Sequence, residues 1–480
     1  MAQAGQAKPR IIDTGVPNLD LVLGGGLQQH NSYIFAGGSG TGKSVLVQQV
    51  AFHRASLGER VLFVTGLDEP HHNLLEHFST FRFADFKLVG PQIETVSMVP
   101  FLDRPVPEKI NVLRKTVLNS RPKMVIIDGL RSFAAYTGGM EGLFEFLYGL
   151  TSWFAVEGIT LLLTKTVDPD EPQDNPEFGL TDGVIALQRK LVDGHTVRCL
   201  WVRKMRGQKA LEGLHPFAID ANGIMLWPRL QATFQLEDRP VSPERAPFGL
   251  PALDAMLGGG LPEATTTLVA GETGAGKTML ALAFLAGGAG RNEPGLWLGF
   301  RETRSQLLAM AAPLGGDLGG QAQFITMAPM ELDPDRLGWL VQHKVAEMGI
   351  KRLVLDGAEL LANAFPNGRE RSEFLTWLAQ YLPQQGVTGL ITQLAPRPAG
   401  AAGLADAALA PMAQNVIVLR QVHEQARLRR AIAVLKMAGP GYDATIRELT
   451  VDGHGLTVGE PLSAEGQPAL EVWAPSREPA

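Results

Sequence analysis

One eight-residue pattern occurs twice in this chain and constrains its fold more than any other feature. Gly37-Gly38-Ser39-Gly40-Thr41-Gly42-Lys43-Ser44 and Gly271-Glu272-Thr273-Gly274-Ala275-Gly276-Lys277-Thr278 both fit G-x-x-x-x-G-K-[ST], the second starting 234 positions after the first. Glycines at these places let backbone N–H groups curl around a phosphate. The lysine reaches the outer phosphates, and the hydroxyl of Ser44 or Thr278 reaches Mg²⁺. Each pattern lies between an apolar run and a helical periodicity, the strand–loop–helix setting such a loop needs. Gly38 to Ser44 and Glu272 to Thr278 are the expected nucleotide cradles.

The repetition extends beyond the loops. Thr14 to Leu27 matches Phe248 to Leu261, Gly66 to Leu75 matches Gly299 to Leu308, Asp128-Gly129 matches Asp356-Gly357, and Lys204-Met205 matches Lys436-Met437. Offsets stay between 228 and 234, so the copies are collinear. A period this long means a duplicated domain rather than a solenoid. The expected division is a first domain over 8–230, a polar, proline-bearing linker over 231–247, a second domain over 248–461 and a loose tail over 462–480.

Within the first copy, pattern predicts strands at Tyr33 to Ala36, Val61 to Thr65, Val125 to Asp128 and Ile159 to Thr164. It predicts helices at Lys43 to Leu57, Pro107 to Asn119 and Gly142 to Val156. Short apolar runs alternating with helices indicate a mostly parallel sheet covered on both faces. After Gly183 short strands are expected to form a closing meander. The fold class is α/β, in two tandem P-loop domains.

Composition narrows the setting. Hydrophobic residues make up 45% and charged residues 19%, the range of a folded globular chain. The net charge of −6 argues against a broad nucleic-acid footprint. Cys199 is the only cysteine, so no intrachain disulfide exists, and its apolar neighbours suggest a buried thiol. Apolar runs such as Ile159 to Leu163 are too short to span a bilayer, and the N-terminus lacks a signal-peptide pattern. A cytoplasmic protein is expected.

An ATPase also needs a carboxylate near Mg²⁺, a group that activates water, and positive charge on the transition state. Asp128 and Asp356 each end an apolar run of four, the Walker B arrangement, and are the expected metal carboxylates beside Ser44 and Thr278. Asp68-Glu69 follows a predicted strand and is placed to orient or deprotonate water; the same acids would also suit a helix start. The second copy has Arg301-Glu302 there, so only Glu302 remains. His71 and His72 fit a solvated helix start better than a metal site. Lys204 and Arg206 lie two apart, on one face of a strand. That suits a finger reaching a neighbouring subunit's site, and equally a solvated strand end. Copy two keeps Lys436 but has Ala438 in place of the arginine.

These residues resemble the KaiC family, the tandem RecA-like ATPases of the bacterial clock and their non-clock relatives. The resemblance rests on Thr14 to Leu27, both P-loops, the acid pairs, Lys204 to Gly207, Pro216 to Asp220 and Arg430 to Met437, and spans residues 10 to 460. It implies two RecA-like domains and a double-ring homo-hexamer with ATP and Mg²⁺ between subunits. Lys204 and Arg206 would act in trans, Asp68 and Glu69 would be the catalytic acids of the first ring, and Lys436 would contact nucleotide in the second. Clock members phosphorylate a Ser-Thr pair that falls here on Ala410-Pro411, neither of which accepts a phosphate.

The expected function is an ATP-hydrolysing ring protein, turning over ATP chiefly in the first domain and mainly binding it in the second, with a signalling partner. Two other readings compete with it. A RecA-like DNA motor would need a basic mobile loop, whereas Lys165 to Pro176 is acidic; the best basic run is Arg427-Leu-Arg-Arg430. An ATP-switched scaffold would fit the altered second site but not the intact first.

Overall fold

The computed structural model describes residues 10–65, 79–101, 103–130, 137, 139–167, 176–192, 195–240, 242–315, 318–328, 333–365, 367–395, 411–424, 427–439 and 441–462. The chain divides into two units, one ending at Thr233 and the other beginning at Phe234.

In the first unit, β1 (Ile11–Ile12) pairs with β2 (Leu27–Gln28). The main sheet contains β3 (Ser32–Gly37), β4 (Val61–Thr65), β5 (Ile93–Ser97), β6 (Met124–Asp128), β7 (Thr160–Thr166), β8 (Gly183–Val192), β9 (His195–Met205), β10 (His215–Asp220) and β11 (Gly223–Leu226). Its order is β11-β10-β9-β8-β3-β7-β6-β4-β5. The run from β8 to β5 is parallel, and β8 to β11 form an antiparallel meander.

In the second unit, β12 (Arg245–Ala246) pairs with β13 (Leu261–Pro262). The sheet contains β14 (Thr266–Gly271), β15 (Gly295–Gly299), β16 (Ala322–Thr326), β17 (Arg352–Leu355), β18 (Thr388–Leu394), β19 (Asn415–Glu424), β20 (Arg427–Lys436), β21 (Arg447–Asp452) and β22 (Gly455–Pro461). Its order, β16-β15-β17-β18-β14-β19-β20-β21-β22, is that of the first sheet. Both units are therefore RecA-like, mostly parallel sheets flanked by helices and closed by a meander, as the sequence implied.

Alternation explains the layers. In β3, Tyr33 and Phe35 face the P-loop helix Lys43–Ser56 with Leu46 and Val50, while Ile34 and Ala36 face Leu113, Phe146 and Leu150 across the sheet. A strand buried on both faces reads as a continuous apolar run, which is why β3 and β6 were legible.

The matched segments Thr14 to Leu27 and Phe248 to Leu261 share one device. The Asp254 carboxylate accepts from Phe248 N (2.7 Å), Gly249 N (3.0 Å) and Leu250 N (3.1 Å). Asp20 accepts from Thr14 N at 3.0 and 3.2 Å. The glycine triplets that follow have positive φ throughout, and a Cβ on Gly24 or Gly258 would lie 2.4 Å from the Lys209 or Gly441 carbonyl oxygen. Only glycine accepts that approach.

Three expectations change. The strands after Gly183 are long: β8 and β9 have 10 and 11 residues, because each extends beyond the sheet as a two-stranded ribbon. Cys199 is half-buried on β9 rather than buried. The polar stretch before Pro247 also contributes Arg245 and Ala246 to β12.

Candidate functional site

Both P-loops sit at the carboxyl end of the central strand, where open α/β sheets bind ligands. β3 runs into the first loop and β14 into the second. Gly42 and Gly276 cap the following helices at φ 107° and 103°, exposing the first N–H groups of Lys43–Ser56 and Lys277–Ala289 at the loop mouth. N–H groups at a helix start and the helix dipole together form an anion site. Lys43 Nζ donates to the carbonyls of Gly37 (2.9 Å) and Gly38 (2.8 Å). Lys277 Nζ does the same to Gly271 (2.8 Å) and Glu272 (2.9 Å). In the first loop the Thr41 hydroxyl donates to Gly38 O at 2.9 Å. In the second, Gln421 donates to Thr273 O (3.1 Å) and Arg430 to Gly274 O (2.9 Å).

In the second unit the aspartate that follows β17 meets the P-loop directly. The Thr278 hydroxyl donates to Asp356 Oδ2 at 3.0 Å. A threonine on the next strand supports each carboxylate: Thr392 donates to Asp356 Oδ1 at 2.6 Å and accepts from Gly357 N at 2.8 Å. Thr164 hydrogen-bonds Asp128 in the same way and accepts from Gly129 N at 2.8 Å. Sequence reasoning missed both threonines, although their identical place in each repeat was a usable signal. Burial pushes the Asp356 carboxyl above its ordinary value, against the pull of these hydroxyls. Burial also holds the Lys277 ammonium below its ordinary value.

The geometry suits a phosphate with Mg²⁺. The lysines rest on loop carbonyls, from which a phosphate would draw them. Thr278 and Asp356 supply one hydroxyl and one carboxylate, the sparse protein set that leaves Mg²⁺ its waters and phosphate oxygens. Among the described residues no group of three or more His, Cys, Asp or Glu could hold a metal ion by itself.

Lys204 and Arg206 converge on the carbonyl end of the short helix Glu177–Leu180. Lys204 Nζ donates to the carbonyls of Phe178 (2.8 Å), Gly179 (3.3 Å) and Thr181 (2.5 Å), and Arg206 to Gly179 O (3.3 Å). Lys436 donates to Ala413 O at 2.8 Å. Arg301 forms an ion pair with Glu359 at 3.7 Å. Glu302 uses its backbone carbonyl to accept from Thr326. Asp68, Glu69, His71, His72, Ala410, most of the acidic loop after Lys165 and nearly all of the tail lie outside the described residues.

Two RecA-like sheets, each with a P-loop at the carboxyl end of its central strand and an aspartate at the end of the strand two places away, define a tandem P-loop ATPase architecture. A sequence model for the family described as "ATPase: KaiC" matches residues 12–231 and again 246–463. The chain belongs to the KaiC ATPase family. It is 26% identical over 470 residues to the circadian clock protein KaiC3 of Synechocystis sp. (strain ATCC 27184 / PCC 6803 / Kazusa), covering 94% of this chain and 92% of that protein. It is 26% identical over 462 residues to the circadian clock oscillator protein KaiC of Synechococcus elongatus (strain ATCC 33912 / PCC 7942 / FACHB-805), covering 92% and 88%. No described helix is long and apolar enough to cross a membrane.

Proposed function

We propose that this chain is an ATP-hydrolysing ring protein whose first domain carries most turnover and whose second domain chiefly holds ATP. One contrast carries this reading: two P-loops with the same lysine geometry stand in different surroundings. The first copy keeps Asp68, Glu69 and Arg206; the second has Arg301 and Ala438 at the corresponding places, retaining Glu302 and Lys436. A cation cannot take a proton from water, and alanine cannot neutralise transition-state charge.

In the first site, the residues from Gly38 to Ser44 would cradle the phosphates and Lys43 would neutralise the outer ones. Ser44 and Asp128 would hold Mg²⁺, which supplies charge neutralisation across the phosphate oxygens when bound. Asp68 and Glu69 would orient and deprotonate the attacking water. Lys204 and Arg206 would serve a neighbouring subunit in a homo-hexamer. In the second site, Glu272 to Thr278 would form the cradle, with Thr278 and Asp356 as the metal pair. A cytoplasmic setting and a signalling protein partner complete the reading. Autophosphorylation at the position of Ala410-Pro411 has no hydroxyl to act on.

The basic run Arg427 to Arg430 gives little support to a DNA motor. Arg429 is paired with Glu448, and Arg430 is spent on the P-loop carbonyl of Gly274.

Steady-state ATP hydrolysis by Lys43→Ala and Lys277→Ala chains tests the asymmetry. Lys43→Ala should lose most of the activity and Lys277→Ala much less. A larger loss in Lys277→Ala overturns the assignment.

A further inference from the structure

The second site differs from the first by more than a lost acid. Asp68 of the first copy corresponds to Arg301, and Arg131, three residues after Asp128, corresponds to Glu359, three residues after Asp356. Both signs are exchanged, acid for base at one place and base for acid at the other. A reversal confined to position 301 would leave the new cation without the carboxylate that Arg301 meets in the second copy. The paired reversal supplies it.

The strand ends bring these side chains together. Asp356 N donates to Leu298 O at 2.9 Å, which aligns the carboxyl ends of β15 and β17. Arg301 lies just beyond β15, and Glu359 lies in the single turn Ala358–Leu360 after β17. Glu359 is fixed by its Oε2, which accepts from Leu394 N at 2.9 Å at the end of β18. Its Oε1 faces an Arg301 nitrogen at 3.7 Å. Both charges act on Lys277, Glu359 as the foremost of the carboxylates around it and Arg301 in the opposite sense. The pair is thus within electrostatic reach of the lysine that meets the outer phosphates.

The pair is loose. The Arg301 side chain is 59% exposed, and the 3.7 Å separation exceeds hydrogen-bond distance. An exposed pair of this kind is weakly held and readily exchanged for a better anion. A phosphate is such an anion, because guanidinium matches its oxygens in a two-pronged, charge-assisted contact.

We propose that Arg301, steered by Glu359, reads the terminal phosphate at the second site from within its own subunit and makes that site retain nucleoside triphosphate over diphosphate. The inference rests on the reading of the second site as one of occupancy and gives it a mechanism. The cation occupies the sequence position that corresponds to an acid in the first copy, so the same substitution that removes a water-activating group adds a phosphate ligand.

The test uses the full chain carrying Lys43→Ala, which confines labelled nucleotide to the second site. Release of methylanthraniloyl-ATP and methylanthraniloyl-ADP with Mg²⁺ is followed after a chase with unlabelled nucleotide. Adding Arg301→Ala should speed triphosphate release about tenfold to a hundredfold, the range for losing a hydrogen bond to a charged group. Diphosphate release should change by less than about twofold, since the contact is to the absent phosphate. Arg301→Lys should fall between, keeping the charge but not the fork. Equal acceleration for both nucleotides, or unchanged triphosphate release, overturns the inference while leaving the occupancy reading intact. If the Lys43→Ala chain releases triphosphate as fast as a Lys43→Ala/Lys277→Ala chain, the occupancy reading and the inference fall together.

Discussion

The Thr278 hydroxyl donates to Asp356 Oδ2 at 3.0 Å, tying the end of the second P-loop to the carboxylate that follows β17. The other oxygen of Asp356 accepts from Thr392, so the carboxylate is held on both sides before any cation arrives. This preorganisation comes at the expense of stability, because the carboxylate is buried.

Asp356→Asn should stabilise the nucleotide-free chain while abolishing Mg²⁺-dependent nucleotide binding. Burial raises the folded-state pKa of Asp356 above its unfolded value, so the folded chain binds the proton more tightly. Stability is therefore lost as pH rises from the ordinary aspartate range through the raised value. The variant should melt higher than the parent at pH 7, with the gap shrinking on acidification. A lower melting temperature at pH 7 refutes this.

Gly37→Ala and Gly38→Ala should part company. A Cβ on Gly37 would lie 2.2 Å from Leu187 O, inside the central sheet. Overpacking there should cost about 2–3 kcal/mol in urea unfolding. On Gly38 the nearest atom would be Thr41 Cγ2 at 3.9 Å, and the matching position of copy two already carries Glu272. Its cost should stay within about 0.5 kcal/mol. Equal costs would contradict the packing argument.

Asp254→Ala should cost more than Asp20→Ala. The first strips three backbone N–H groups of their acceptor, the second only one. Urea unfolding should show a loss of about 2–3 kcal/mol against about 1 kcal/mol. The reverse order would mean that the two segments are not equivalent supports.

The trans role of Arg206 can be tested by mixing. Arg206→Ala alone should lower hydrolysis about 10³-fold, the lower end for an arginine finger, and Lys43→Ala alone should be nearly inactive. Co-expressed chains should recover activity, because Arg206→Ala subunits keep an intact cradle that a Lys43→Ala neighbour can serve. Failure to recover in verified mixed assemblies rules out action in trans.

What the sequence determined by itself was local or periodic. The P-loops were legible because eight consecutive residues fix their own geometry. The buried strands were legible because an apolar run covered on both faces has few other solutions. Asp128 and Asp356 were legible as strand-end carboxylates because each closes such a run, and the duplication made every reading a paired one. Tertiary structure decided what lies across strands. Thr164 meets Asp128 from 36 residues away only because Ile127 and Leu163 are in register, and Thr392 meets Asp356 through the same register in the second sheet. Lys204 and Arg206 share one carbonyl end because β9 runs beside the Glu177–Leu180 turn. Arg301 and Glu359 meet because β15 and β17 are neighbours. Spacing along the chain encodes what one element does alone, whereas the partners of a charge are set by strand order, which no local pattern carries.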